Sequence, residues 1–185
     1  AEYLAQGLVS RFGGVEDLAN LRVTLTLMAV VTMIPQAISG PIISLFSERE
    51  GQRPGAGAAS ALEHMRWLWL FSLAIGAALA AIWPLAVTVL FGTGFPEATA
   101  MGQLAIMAFV PKVVGSALTA GILVGGRTRP LVFVGLVQGG VMVAMAFPLV
   151  QQMGLAGFFL AQTGAAACAV VLWLAVLGWQ TRQVP

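Results

Sequence analysis

Five stretches of this chain run for about twenty residues or more with scarcely a charge. They cover about residues 21–46 (charge-free after Arg22), 67–91, 96–124, 130–148 and 155–179. An α-helix needs roughly 20 apolar residues to cross the ~30 Å hydrocarbon core of a bilayer, so each stretch is long enough. In hydrocarbon every backbone N–H and C=O must be satisfied by the protein, which leaves helices and closed barrels. Barrel strands would read as ten-residue segments of alternating polarity, and none is visible. The expectation is an all-α, polytopic membrane bundle, one transmembrane domain over residues 1–185. It would have five full transmembrane helices and a partial first helix at about residues 2–12.

Composition agrees and excludes other classes. Charged residues make up 9% of the chain and hydrophobic ones 59%, whereas a soluble domain carries about 25% charged residues. No basic stripe suits nucleic acid, and membrane lipids are the expected surroundings. Cys168, the one cysteine, gives no disulfide framework or zinc spacing and is expected to be a buried, inert thiol. No metal or cofactor site is expected. The spacings GxxxxGK[ST], HExxH and GxSxG are absent, so the chain does not read as an enzyme.

The joints carry helix breakers: "RFGGVED", "SEREGQRPGAGAAS", "FGTGFPE", "GGRTRP" and "FPLVQQMG", where Gly and Pro end helices by φ freedom and by loss of a donor. Arg49, Arg53, Arg66, Arg127, Arg129 and Arg182 fall on one side, against Arg11 and Arg22 on the other, a count of six against two. The positive-inside rule makes the first side, and the C-terminus, cytoplasmic. The chain begins without methionine or a basic leader, partway through a helix, and reads as a piece of a longer protein. Trp67, Trp69, Trp83, Trp173 and Trp179 mostly fall near the span ends, which suits interfacial anchoring. Gly121 with Gly125, Gly135 with Gly139, and Gly157 with Ala161 and Ala165 are expected as packing seams.

Against this background one residue is out of place. Lys112, the only lysine, follows Pro111 near the middle of the third span. An ammonium at the bilayer centre costs at least about 2.5–3.5 kcal/mol. Either interface is about 18–24 Å away at 1.5 Å per residue, too far for easy snorkelling. Its helical neighbours Ala105, Ala108, Phe109, Gly115, Ser116 and Thr119 form a small, mildly polar face that should point into the protein or a wet cavity, where Lys112 is either an anion-attracting or gating group or the partner of a carboxylate on another helix. Pro111 frees the carbonyl of Met107 and should kink the helix. In the first span Pro35 and Pro41 would break or bend the helix beside Gln36, Ser39 and Gly40. The candidate cavity residues are Lys112, Ser116, Thr119, Gln36, Gln103 and Arg22; the candidate helix breaks are Pro35, Pro41 and Pro111. Gln138, Gln162 and Thr163 are expected to pair between helices. All seven acids lie in loops or at helix ends, Glu97 at the very start of the third span, which disfavours a proton- or cation-coupled carrier that needs a carboxylate deep in the membrane.

Three segments resemble a known family. "GGVEDLANLRVTLTLMAVVTMIPQAISGPIISLFSERE" resembles the helix of polysaccharide flippases that ends in a proline-bearing stretch before a cytoplasmic loop. Leu90, Phe91, Gly92, Phe95 and Ala98 resemble that family's LFG-x-x-F-x-x-A-x-x-x-L junction, with Gly102 off the spacing of its final leucine. "GLAGFFLAQTGAAACAVVLW" is similar to its last helix, with Phe158 and Phe159 in place of the usual small pair. The family comprises the O-antigen and exopolysaccharide flippases of the multidrug/oligosaccharidyl-lipid/polysaccharide exporter superfamily. The resemblance implies half of a twelve-helix, inverted-V exporter in the bacterial inner membrane, this chain being the C-terminal bundle and its partner an N-terminal bundle of the same protein. It implies alternating-access flipping of an undecaprenyl-diphosphate-linked oligosaccharide for polysaccharide biosynthesis. The rivals are a multidrug/cation antiporter or a lipid II flippase of the same superfamily. A glycan polymerase would need a larger outer loop.

Overall fold

The computed structural model describes residues 7, 15–126 and 128–181, and those residues form helices and short joints with no strand among them. The helices are α1 (Val15–Gln52), α2 (Ala56–Glu63), α3 (Met65–Phe91), α4 (Pro96–Met107), α5 (Phe109–Val124), α6 (Arg129–Met153) and α7 (Leu155–Thr181). With α4 and α5 taken as one crossing, five helices among the described residues are long and apolar enough to cross a membrane. The expected helix at 2–12 and the residues Arg11, Arg127 and Arg182 lie outside the described residues.

The observed helices outrun the expected spans. α1 extends the 21–46 span to 15–52, and α6 extends the 130–148 span to 129–153. Polar flanks are no barrier to a helix that leaves the hydrocarbon, so charge marks the membrane boundary and not the helix end. The joint at residues 47–66 is not an open loop: it folds the short helix α2. Glu50 makes this possible, because its two carboxylate oxygens accept the N–H groups of Gly55 and Gly57, both at 2.8 Å. A carboxylate at a helix N-terminus satisfies orphan donors and complements the dipole. α3 and α6 both stop at glycines with positive φ, Gly92 at 84° and Gly154 at 58°, which an L side chain rarely adopts.

α4–α5 is the central crossing. Buried residues make up 61% of its apolar window, against 11% for α1 and for α6. α5 packs against α1, α2, α3 and α7, while α6 packs almost wholly along α7. The close α6–α7 approach rests on Gly157, where any Cβ would strike the Leu149 carbonyl, and on Gly164, where it would meet Met145 Cε at 2.7 Å. Gly121 lets α2 close on α5, since a Cβ there would stand 2.8 Å from Ala61 Cβ. Gly125, Gly135 and Gly139 correct the seam expectation: no neighbouring helix comes within 4 Å of a Cβ built at any of them. Outward, α3 shows Trp67, Leu70, Phe71, Ile82, Leu85 and Val89, an apolar face suited to lipid.

One end of the bundle is locked by Asn20, a buried polar residue at the start of α1. Its Oδ1 accepts the Ala98 N–H at 3.2 Å, in the first turn of α4. Its Nδ2 donates to the Glu16 carbonyl at 3.1 Å and reaches Glu97 Oε2 at 3.5 Å. Trp83 from α3 donates its indole N–H to the Ala98 carbonyl at 3.1 Å. The indole lies where a Cβ on Gly102 would stand. Ala98 and Gly102 are thus small for a local reason: two other helices dock on them. Trp83 and Trp173 are buried and are not interfacial anchors, whereas Trp67 and Trp179 are exposed as anchors would be. Cys168 is half-buried, not fully enclosed.

The apolar core comes in two blocks. One gathers Leu21, Met28, Val31, Trp83, Ile106, Phe109, Val113 and Phe158. The other gathers Phe46, Ala61, Val114, Leu118, Ile122, Val134, Trp173 and Leu177. The boundary along α5 passes between Val113 and Val114, beside Lys112.

Candidate functional site

The helix breaks where the proline chemistry requires. Pro111 is the third residue of α5 and has no N–H to give to the Met107 carbonyl. A proline ring also crowds the carbonyl four residues back. The interruption falls at Ala108, whose own N–H turns to Ala105 at 3.2 Å, while Lys112 N–H bonds the Ala108 carbonyl at 3.2 Å. Pro35 and Pro41 behave differently: α1 is helical through both, so the expected break is not realised there. Ser39 Oγ instead donates to the Pro35 carbonyl at 2.6 Å.

Two cavities meet at Lys112. The larger, about 450 Å³, is lined by Ser39 and Ile43 of α1, by Lys112, Ser116 and Thr119 of α5, and by Gln138 of α6, with Trp173 of α7 at its wall. The smaller, about 250 Å³, is lined by Lys112, by Gly135, Gln138, Gly139 and Met142 of α6, and by Phe158, Gln162 and Ala165 of α7. Lys112 and Gln138 belong to both. The lining positions on α5 (112, 116, 119) and α6 (135, 138, 139, 142) follow three-and-four spacing, which places each set on one helix face. The larger cavity draws its walls from α1, α5, α6 and α7, and the smaller from α5, α6 and α7 alone.

The hydroxyls are turned to the backbone. Ser116 donates to the Val113 carbonyl at 2.7 Å, and Thr119 to the Gly115 carbonyl at 2.8 Å. With Ser39 bonded likewise, these groups present lone pairs to the cavity. The ammonium of Lys112 and the amides of Gln138 and Gln162 are the other polar groups at the walls. Neither lining contains Asp or Glu. Among the described residues no group of three His, Cys, Asp or Glu could hold a metal.

The structure therefore brings together Lys112, Ser116 and Thr119 as the sequence suggested. It does not bring in Gln36, Gln103 or Arg22, which are exposed and line neither cavity. Gln138 and Gln162, expected to pair between helices, stand in the cavity walls. Ser39, Gly135 and Gly139 also belong to the lining. The signal that could have found them is the turn-by-turn spacing of Gly135, Gln138, Gly139 and Met142, a face too polar and too small for lipid.

The opposite, arginine-bearing end holds a third cavity of about 630 Å³ between Arg49, Arg53, Glu63 and Thr181. Arg49 and Glu63 pair there at 3.4 Å, exposed, and such a pair contributes little. His64 closes α2, its ring Nδ1 donating to the Ser60 carbonyl at 2.8 Å.

No protein-family model, curated protein or solved structure matches this chain.

Proposed function

We propose that this chain is the C-terminal bundle of a polysaccharide flippase, moving an undecaprenyl-diphosphate-linked oligosaccharide across the bacterial inner membrane by alternating access. One observation carries the reading: the lone lysine of a membrane helix stands at the junction of two cavities whose walls hold glutamine amides as neutral donors and no carboxylate. A diphosphate must be desolvated to cross hydrocarbon. A fixed cation lowers that cost, because two opposite charges 4 Å apart attract by about 4 kcal/mol at an effective dielectric of 20. An acid-free lining suits an anion and disfavours a cationic drug, which would need a carboxylate. The arginines Arg49, Arg53, Arg66 and Arg129 gather at the α2 end, which under the positive-inside rule supports reading that end, and with it the carboxyl-terminal end of α7, as cytoplasmic.

The test is translocation of a fluorescent undecaprenyl-diphosphate oligosaccharide in proteoliposomes holding the full-length protein. Lys112→Gln should slow translocation at least about tenfold, the equivalent of ~1.4 kcal/mol, and Lys112→Glu should slow it further. Lys112→Arg should retain most of the rate. Wild-type rates in both Lys112→Ala and Lys112→Glu would remove the charge from the mechanism. Transport of a peptidoglycan precursor in preference to the oligosaccharide would reassign the cargo to lipid II.

A further inference from the structure

We infer that the smaller cavity is a glycosyl pocket, in which Gln138 and Gln162 recognise the hydroxyls of the sugar next to a diphosphate held at Lys112. This rests on the reading of the site as one for a lipid-diphosphate glycan.

The two cavities differ in chemistry although they share a wall. The larger adds hydroxyls that are already bonded to backbone carbonyls. The smaller adds a second amide, Gln162, one helix away from Gln138. A side-chain amide carries two donors and an acceptor. A sugar hydroxyl also donates and accepts, so an amide matches it without charge. Lys112 can hold an anion from the shared wall, while the two glutamines face what is joined to that anion. Phe158 and Met142 supply an apolar wall on the other side.

Gly135 and Gly139 point the same way. Each lies inside α6, where glycine is less favourable than alanine by about 1 kcal/mol. Neither has a positive φ, and a Cβ on either would meet nothing within 4 Å, so neither backbone strain nor helix packing requires them. Their effect is on the cavity: they hold one wall at backbone level beside Gln138. Larger residues there would fill the pocket without clashing with the bundle.

The experiment uses the full-length protein in nanodiscs and two short-chain polyprenyl probes, one ending in a bare diphosphate and the other in a diphosphate bearing one N-acetylhexosamine. The readout is the ratio of their dissociation constants, with the unfolding temperature followed alongside. In the wild type the glycosylated probe should bind about three- to tenfold tighter, the range of one or two neutral hydrogen bonds. Gln162→Leu and, independently, Gly139→Leu should bring the ratio to about one. Lys112→Gln should weaken both probes and keep the ratio. A wild-type ratio near one would overturn the glycosyl pocket and leave the diphosphate reading standing. So would a ratio that survives in both leucine variants while they remain folded. Failure of the wild type to bind either probe would overturn the diphosphate reading and the pocket with it.

Discussion

Asn20→Ala should loosen the junction between α1 and α4. The side chain is 7% exposed, and its Oδ1 is the acceptor for the Ala98 N–H at 3.2 Å. Ala98 lies in the first turn of α4, where the helix itself supplies no acceptor and Phe95, at the cap position, makes no side-chain bond. Alanine at position 20 leaves that donor buried and unpaired, which costs about 1–3 kcal/mol. The loss of a helix cap falls in the same range, about 0.5–2 kcal/mol. The Nδ2 contacts add little, because the Glu16 carbonyl keeps its own helical partner and the Glu97 contact is long, at 3.5 Å. With about 2 kcal/mol in total, and about 2–4 °C per kcal/mol for a chain of this size, the apparent unfolding temperature should fall by about 4–8 °C. Tryptophan fluorescence in detergent reads it, because the buried Trp83 is bonded to the same residue; the scan rate must be fixed, since unfolding of such a protein is under kinetic control. Asn20→Asp keeps the acceptor but brings a second carboxylate towards Glu97, and should lose about half as much. A fall of less than about 1 °C in Asn20→Ala would refute the account of this junction.

Gly121→Val should lower the unfolding temperature, by overpacking of about 1–3 kcal/mol against Ala61, whereas Gly125→Ala, which meets only its own turn, should not. Gly135→Ala should raise stability by up to about 1 kcal/mol, because it gains helix propensity with no neighbour to displace; a decrease in a thermal scan would show a contact that this structure lacks. Pro111→Ala restores a donor to the Met107 carbonyl and should straighten the crossing at Ala108. It should leave the unfolding temperature unchanged or higher while slowing translocation in proteoliposomes.

The helices and the break at Pro111 were legible because they follow from rules local to the chain: run length against bilayer thickness, and a missing donor. The face of Lys112 was legible for the same reason, since three-and-four spacing decides which residues stand beside it. The partners of each face were not. In a membrane, lipid and protein interior are equally apolar, so a helix surface carries little mark of which it meets. Trp83 therefore read as an anchor although it is buried, and Gly135 and Gly139 read as seams although they border open space. Asn20 carried no sequence signal of its role, which depends on a helix N-terminus that the fold brings close, at Ala98, 78 residues away.

The division of the core at Val113 and Val114 bears on how this bundle opens. Two apolar blocks that share a crossing but few buried residues can exchange their amides with solvent as separate units, each with its own opening free energy. Lys112 stands at their border, with Phe158 and Ala165 of the first block and Ala169 and Trp173 of the second lining the cavities around it. A headgroup seated there would touch both. Its binding energy would then be added to the opening of either unit, and two independent fluctuations would become one cooperative event.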